Sequence, residues 1–373
     1  MDWAQFRTHF PVTRRWAFFD HAAVAPLSQP AADAMNAYAA DLAENGVQSF
    51  ERWEVHVEEI RKVAARLINA DPLDVAFVAN TTTGIGLVAE GFRWQPGDNV
   101  ITAAEEYPSN QYPWMNLREH GVEVRSIPSR GSRIDLDDVR GLMDARTRVL
   151  AISAVEFASG FRNNLDALSE LCRKNGTFFF VDAIQSLGVI PLDVQQAPID
   201  GLAADGHKWM LGPEGAGIFW LRREAVEKLH PIGVGWNSVI GAHNFGVIDF
   251  RLKPHAGRFE GGTYNVAGIT GLGASLQLLL DAGVPALQER VFALTDYLCD
   301  QAQRAGLEIF SSRTANEKSG IVSLVKRGGS HHELKKRCRE AGVAINVRAG
   351  RLRVSPHAYN TFEEIDRFIE CVR

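Results

Sequence analysis

Short apolar runs alternate with stretches of helical periodicity along most of the chain. Apolar runs that predict buried strands lie at Val75–Ala79, Asn99–Thr102, Glu123–Ile127, Val149–Ser153, Phe178–Val181, Gly201–Ala204 and Gly217–Leu221. Helical spacing of apolar residues is found at Pro30–Asn45, Glu51–Asn69, Thr83–Gly91, Ser109–His120, Asp137–Met143 and Leu165–Asn175. Because strands alternate with helices, we predict an α/β fold with a mostly parallel central sheet and helices on both of its faces.

The C-terminal part of the chain has a different pattern. Residues 231–262 have no clear period and are predicted to form a long structured loop region near the site. Helices are predicted at Thr270–Ala282, Val284–Arg304, His331–Ala341 and Thr361–Cys371, and strands at Gly320–Lys326, Gly342–Val347 and Gly350–Val354. We therefore predict a large domain over residues 15–260 and a small C-terminal α/β domain over residues 261–373, which residues 1–14 are expected to join.

Composition narrows the class of protein. The chain has 373 residues, of which 46% are hydrophobic and 23% charged, as in an ordinary soluble globular protein. The net charge of −5 and the lack of a basic stripe argue against a nucleic-acid partner. The N-terminus is too polar for a signal peptide, and no apolar run has the ~18 residues of a membrane span. Four scattered cysteines without a CxxC pair favour a reducing compartment and no metal cluster, so we expect a cytoplasmic enzyme.

Polar residues that can carry chemistry follow two of the predicted strands. Asp182 comes directly after Phe178–Val181, and Lys208 follows Gly201–Ala204 within the sequence DGHK. A lysine amine forms a Schiff base with the aldehyde of a pyridine cofactor, while a carboxylate keeps the ring nitrogen protonated. The pair indicates pyridoxal 5'-phosphate (PLP), with Lys208 also as the base for the substrate's α-proton. The alternatives are a surface lysine at a strand end and an aspartate that only caps a helix.

A run of threonines is a candidate anion site. Thr81, Thr82 and Thr83 follow an apolar strand and open a predicted helix. The first backbone N–H groups of a helix are free, and its dipole favours negative charge. We assign Thr81 and Thr82 to the cofactor phosphate. The alternative, that the hydroxyl groups simply cap the helix, is compatible with this role.

The motifs DHAAVAP, NTTTGIGLVAEGF, EEYPSNQYPW, VDAIQSLG, DGHKWMLGPEG, FEGGTYN and RVSPHAYNT are spread from about Phe18 to about Asp366. In these motifs the chain resembles the class V aminotransferase family of fold type I PLP enzymes. That family includes cysteine desulfurases, selenocysteine lyases, kynureninase and isopenicillin-N-epimerase-like proteins. The resemblance implies the PLP transferase fold and an amino-acid substrate, and it is less specific for one reaction.

The resemblance implies further contacts to the cofactor. Gln185 is similar to the family glutamine near the phenolic oxygen of the ring, and His207 to a histidine that touches the phosphate. Tyr107 lies where desulfurase-like relatives carry a histidine that stacks on the ring. Thr263 resembles a threonine that reaches the phosphate of the neighbouring subunit, which implies a homodimer with shared active sites. Without the resemblance, the glutamine would be solvated, the tyrosine would be part of the core and the threonine part of a turn, and the histidine would have no assigned role.

Two arginines are candidates for binding the substrate carboxylate. Arg353, in the predicted strand Leu352–Val354, resembles the family arginine that clamps this carboxylate with paired hydrogen bonds. Arg348, in the preceding segment, is the second candidate. The alternative is that both are exposed arginines of a small domain.

The chain departs from the family at several positions. Cysteine desulfurases carry a nucleophilic cysteine on a loop before the carboxylate-binding arginine, whereas Val347–Arg353 is short and has none. Cys338 lies within a helical pattern, where we expect it to pack. Phe157 falls where relatives often have an asparagine near the phenolic oxygen, and Asp205 where many have serine or threonine.

We expect a PLP enzyme that acts on an amino acid, as a C–S or C–Se lyase without a persulfide cysteine or as an aminotransferase. Epimerisation of the isopenicillin-N-epimerase-like type is the alternative. A non-catalytic binding protein that kept the fold is a hypothesis of a different class.

Overall fold

The computed structural model describes residues 1–373. The helices are α1 (Trp3–Arg7), α2 (Gln29–Asn45), α3 (Phe50–Leu67), α4 (Thr81–Gly91), α5 (Tyr112–Asn116), α6 (Leu136–Leu142), α7 (Leu165–Asn175), α8 (Val266–Ala282), α9 (Val284–Arg304), α10 (His331–Glu340) and α11 (Phe362–Val372). The strands are β1 (Ala17–Phe18), β2 (Val75–Val78), β3 (Asn99–Ala103), β4 (Glu123–Ile127), β5 (Thr147–Ser153), β6 (Phe178–Asp182), β7 (Gly201–Asp205), β8 (Gly217–Leu221), β9 (Glu308–Ile309), β10 (Val322–Val325), β11 (Val343–Ala344), β12 (Asn346–Arg348) and β13 (Arg351–Val354).

A seven-stranded sheet forms the centre of the molecule, in the order β2-β8-β7-β6-β5-β3-β4. Its pairs are parallel except those of β8, which runs antiparallel to both β2 and β7. Strands β6 and β7 are neighbours, with Asp182 opposite Ala203. Their carboxyl ends therefore lie side by side at one edge of the sheet, which is where ligands of such sheets collect. The predicted mostly parallel α/β fold is confirmed.

A second sheet of four antiparallel strands, in the order β12-β13-β10-β9, is built from the C-terminal part of the chain. Next to it, β1 near the N-terminus pairs in parallel with β11. The single strand predicted at Gly342–Val347 is wrong, because the chain divides there into β11 and β12, which join different sheets. The predicted helix Ser109–His120 is also wrong as one element. Only Tyr112–Asn116 is α-helical, with 3₁₀ turns on both sides.

Apolar side chains form separate cores on the two faces of the large sheet and around the small sheet. Helix α8 packs in the core of the large sheet through Ile269, Leu272 and Leu276, whereas Ala17 beside β11 packs with the small sheet. The boundary predicted at residue 260 stays a prediction. We propose from this packing that the small domain begins within α9 and includes β1.

No single helix is long and apolar enough to cross a membrane. Helices α8 and α9 have the length and composition of a span only when taken together, and they are bent by 81° at the break between them.

Candidate active site

A cleft of about 360 Å³ opens between the carboxyl edge of the large sheet and the small sheet. That volume is in the range of small-molecule sites. The cleft is lined by Ala22, Ala23, Val24, Asn80, Thr81, Thr82, Tyr107, Ser109, Phe157, Asp182, Ile184, Gln185, Asp205, His207, Lys208, Glu214, Arg348 and Arg353. Every predicted site residue except Thr263 is therefore in one place.

Lys208 is placed by the turn that follows β7. The turn begins at Gly206, where a Cβ atom would lie 2.6 Å from the carbonyl oxygen of Ala216, so a larger residue would push the two segments apart. Lys208 is 8% exposed. Burial lowers its pKa to about 8, and Arg353 adds to the lowering, while Asp182 opposes it. A lysine with this pKa is neutral in about a tenth of the molecules at pH 7, several hundred times the neutral fraction of an ordinary lysine, and the neutral form is the nucleophile and the base.

Asp182 ends β6, and its side chain is buried at the floor of the cleft. Its Oδ1 accepts the backbone N–H of Ile184 over 3.0 Å. Burial raises the pKa of Asp182 to about 6, against the opposing effects of this hydrogen bond and of Lys208. Asp182 is thus an anion at neutral pH that a nearby cation would stabilise strongly, since no ion pair satisfies it within the chain.

The N-terminus of α4 faces the same cleft. Asn80 caps the helix by accepting the backbone N–H of Thr83 over 2.8 Å, so the helix begins at Thr81, two residues before the predicted start. The Thr81 hydroxyl accepts the backbone N–H of Asp205 over 3.0 Å, and the Thr82 hydroxyl donates to Ser109 over 2.7 Å. Free N–H groups of the first turn and these hydroxyls form an environment suited to a phosphate.

His207 and Asp205 form a pair beside this helix. Nδ1 of His207 lies 2.8 Å from Oδ2 of Asp205, which is buried. Asp205, noted above as a departure from the family, therefore contacts the ring of His207. The second carboxylate oxygen of Asp205 is buried without a hydrogen-bond partner.

The orientation of Gln185 is fixed by two buried hydrogen bonds. Its Oε1 accepts the indole N–H of Trp209 over 3.0 Å, and its Nε2 donates to the carbonyl oxygen of Ala22 over 3.0 Å. Because an indole only donates and a carbonyl only accepts, the amide cannot be turned around. The second Nε2 hydrogen is left for an acceptor such as a phenolic oxygen. Sequence reasoning missed Trp209, whose only signal was its position next to Lys208.

Tyr107 and Phe157 form the aromatic part of the cleft wall. Their rings meet edge to face with centroids 5.2 Å apart, and Nζ of Lys208 lies 5.5 Å from the centroid of Tyr107. Tyr107 is thus close to the amine, as expected of a residue that covers the cofactor ring.

Arg353 reaches the cleft from β13 and is almost fully buried. It donates through Nη1 to the carbonyl oxygen of Phe157 over 2.9 Å and through Nη2 to Oδ1 of Asp20 over 3.2 Å, while its Nε is buried without a partner. Burial lowers the pKa of Arg353 and raises the pKa of Asp20. The attraction between the two charges opposes both shifts. Asp20 was missed by sequence reasoning.

Arg348 also lines the cleft and is half-buried. Its Nη1 donates to Oδ1 of Asn346 over 3.2 Å and to the carbonyl oxygen of Val347 over 3.1 Å. None of these partners is charged, so the charge of Arg348 is not paired within the chain, whereas that of Arg353 is paired with Asp20.

Thr263 lies elsewhere, on the rim of an apolar groove formed by α2, α3 and Trp236. It is exposed and does not line the cleft of its own chain. Its predicted role toward a neighbouring subunit stays a prediction.

None of the four cysteines lines the cleft. Cys172, Cys299 and Cys338 are buried in helices, where burial raises the pKa of Cys338 to about 12 and that of Cys299 to about 11. Thiols with such pKa values are poor nucleophiles at neutral pH.

The residues present fit PLP. A buried carboxylate, an amine of lowered pKa and a helix N-terminus with hydroxyls converge on one cleft. Asp182 would hold the ring nitrogen, Lys208 the aldehyde carbon, and Thr81, Thr82 and His207 the phosphate. The buried polar atoms without partners at Asp205 and Arg353 indicate a polar ligand in the same cleft.

Comparison with known proteins gives an independent assignment. Residues 17–368 match the family model of the class-V aminotransferases. A probable cysteine desulfurase of Methanothermobacter thermautotrophicus is 29% identical over 96% of this chain and 94% of its own. A cysteine desulfurase of Klebsiella pneumoniae is 33% identical over 84% of this chain and 80% of its own.

Among solved structures, a cystine C–S lyase in complex with its product cysteine persulfide has a TM-score of 0.91. The two chains are 22% identical, and the match covers 97% of this chain and 98% of that one, which shows the shared fold. The chain belongs to the class-V aminotransferase family and is a PLP-dependent enzyme, a transferase or a lyase.

Proposed function

We propose that the protein is a PLP-dependent C–S lyase that acts on cystine or cysteine and releases the sulfur product directly. The observation that carries this proposal is a cleft that combines Lys208, Asp182 and Arg353 without any cysteine. The names of the relatives, a cysteine desulfurase and a probable one, favour sulfur amino acids as substrates.

Each residue has a defined task in this proposal. The guanidinium groups of Arg353 and Arg348 bind the substrate carboxylate, which places the α-carbon near Lys208. The neutral Lys208 amine takes the α-proton, and Asp182 holds the proton on the ring nitrogen. Bound PLP supplies an electron sink for the charge left on the α-carbon. The Cβ–S bond then breaks, so that cystine and water give pyruvate, ammonia and cysteine persulfide.

Product analysis tests the reaction. Purified holoenzyme incubated with cystine should produce pyruvate without any added keto acid. Formation of alanine together with a persulfide on the protein would contradict the proposal and support desulfurase action. A requirement for a second keto acid would instead support transamination, and solvent deuterium at the α-position without pyruvate would support epimerisation.

A variant lacking all four cysteines tests direct release. With Cys172, Cys299, Cys338 and Cys371 replaced by alanine, pyruvate formation from cystine should stay within about twofold of the parent, because no thiol lines the cleft. Cys371→Ala alone is the control, because Cys371 is half-buried whereas the other three cysteines are buried and their replacement affects packing. Loss of activity with an unchanged melting temperature would show that one thiol takes part.

We further propose a homodimer in which Thr263 completes the active site of the partner. The groove beside Thr263 exposes large apolar side chains, including Val47, 76% exposed, and Phe50, 45% exposed. Contiguous apolar surface of this kind is typical of a protein interface. Because Thr263 lies on the rim of this apolar groove, a partner that covers the groove would also contact Thr263, which supports a shared site.

Mixing two inactive variants tests the shared site. Lys208→Ala and Thr263→Asp homodimers should each be inactive, whereas their hybrid has one site with both parent residues. Subunit exchange should then restore about a quarter of the parent activity, since about half of the dimers are hybrids with one working site. Light scattering that shows a monomer, or no recovery after proven exchange, would contradict the proposal.

A further inference from the structure

Two buried glutamates lie outside the cleft, near Asp182. Glu106 precedes Tyr107, and Glu156 lies in the turn after β5; each is 3% exposed. Neither lines the cleft, and neither takes part in the chemistry proposed above. Buried carboxyl groups without a cationic partner are rare, because low dielectric opposes their charge. They do not form a metal-binding group with their neighbours.

Ser153 binds Glu106 at a position beside Asp182. Its backbone N–H donates to Oε1 of Glu106 over 2.6 Å, and its hydroxyl donates to Oε2 over 2.5 Å. Ser153 is also the register partner of Asp182 in the parallel pair of β5 and β6. Since both oxygens of Glu106 accept short hydrogen bonds, the geometry favours its ionised form.

Glu156 has the opposite environment. Its Oε1 accepts from Nδ2 of Asn163 over 2.9 Å, but its Oε2 is buried without a hydrogen-bond partner. No donor stabilises a negative charge on this buried oxygen, which favours the neutral carboxylic acid. Burial, and then the charge of Glu106, raise the pKa of Glu156 well above its ordinary value. The pair therefore holds its proton on Glu156.

The charged groups around the pair are few. Burial raises the pKa of Glu106 to about 7, Asp182 adds to the rise, and the hydrogen bonds from Ser153 oppose it. Glu105, which is exposed, acts on Glu156 as well, and Lys208 acts on Asp182. The anion of Glu106 thus forms near neutral pH, next to a carboxylate whose task is to stabilise a cation.

We propose that Glu106 is a positioning residue that places a second negative charge behind Asp182, with Glu156 kept neutral. The added charge stabilises the protonated state of the bound cofactor through Asp182. The inference goes beyond the proposed lyase reaction and depends only on PLP as the cofactor.

The pH titration of the visible absorbance band of the bound cofactor tests this role. Glu106→Gln keeps the shape and removes the charge, so the titration midpoint should fall by about one pH unit. Glu105→Gln is the matched control, because the same change one residue away removes a solvent-screened charge and should leave the midpoint unchanged. Glu156→Gln should also leave it unchanged, since the native side chain is already neutral.

A midpoint for Glu106→Gln equal to that of the parent would overturn the proposal, as would an equal shift in Glu156→Gln. If Glu106→Gln does not fold, Ser153→Ala takes its place. Loss of the hydroxyl donor raises the pKa of Glu106 and should lower the cofactor midpoint by a smaller amount, and an unchanged midpoint would again overturn the proposal. The titration uses PLP and no substrate, so a failure of the lyase assay leaves its result intact.

Discussion

The two walls of the cleft, one from the large sheet and one from the small sheet, differ in how their buried charged groups are stabilised. On the large-sheet wall, Lys208 and Asp182 are shifted toward their neutral forms, with pKa values of about 8 and about 6. On the small-sheet wall, Arg353 already has an internal partner, because its Nη2 lies 3.2 Å from Asp20. We call the large-sheet wall the cofactor wall and the small-sheet wall the substrate wall, after their proposed ligands. The groups of the cofactor wall have pKa values close to neutral pH, whereas the cation of the substrate wall is shared with an acid of its own chain.

The difference also extends to how the walls are built. Asp182 ends β6 and Lys208 follows the adjacent parallel strand β7, so the sheet itself sets their separation. Arg353 is positioned by Asp20 and by the carbonyl oxygen of Phe157, both far away in sequence. We expect changes on the cofactor wall to abolish activity and changes on the substrate wall to tune affinity.

Replacing the lysine should have the largest effect. Lys208→Ala removes the amine that we propose to hold the cofactor and to act as the base, so activity should fall by about 10³-fold or more and the yellow colour should be lost. Absorbance spectra and pyruvate formation measure the two effects. Lys174→Ala, which changes an exposed lysine, is the control and should behave like the parent. A yellow, active Lys208→Ala protein would disprove the assignment.

On the substrate wall, Arg353→Ala should raise KM by about 10- to 100-fold, because a buried charge-assisted contact to the carboxylate is lost. The affinity for PLP should not change. The control is Arg351→Ala, since Arg351 lies over the ring of Phe310 and does not line the cleft. Equal KM values for Arg353→Ala and the parent would place the carboxylate at Arg348.

The rate of PLP capture should depend on pH through Lys208. Only the neutral amine reacts, so the rate should rise about tenfold per pH unit below the pKa of about 8 and level off above it. Asp182 holds this pKa up, so Asp182→Asn should move the midpoint to lower pH. Stopped-flow absorbance of the apoprotein measures both profiles. A midpoint near the ordinary lysine value would contradict the buried position of Lys208.

The smallest effect is expected from Asp20. Asp20→Asn removes the acid that competes for Arg353, so KM should fall a few-fold while the melting temperature also falls, because a buried cation loses its partner. Steady-state kinetics measure the change in KM, and thermal unfolding measures the change in melting temperature. A higher KM would mean that Asp20 orients Arg353 rather than competing for it.

Most of the large sheet could be predicted because its central strands are short, mainly apolar runs between polar segments, whereas the edge strand β4 is mixed in character. Asp182 and Lys208 came from such local signals, and the structure brings them together. The break within Ser109–His120 was missed because its helical spacing gave no sign of the 3₁₀ turns around Tyr112–Asn116.

Residues that act through long-range contacts could not be found in this way. Asp20, Trp209 and Glu106 matter only because other parts of the chain come to them, and no local pattern reports such contacts. The resemblance supplied Arg353 and Tyr107, which spacing alone would have left as ordinary residues. The role of Thr263 stays a prediction, because the contact predicted for it is to a neighbouring subunit.

The most direct test of the role of Lys208 is borohydride reduction of the yellow holoenzyme followed by peptide mass mapping. The peptide that contains Lys208 should carry the mass of a reduced pyridoxyl phosphate adduct, with cleavage after that lysine blocked. An adduct on any other lysine, or an unmodified Lys208 in protein that has bound PLP, would contradict this role.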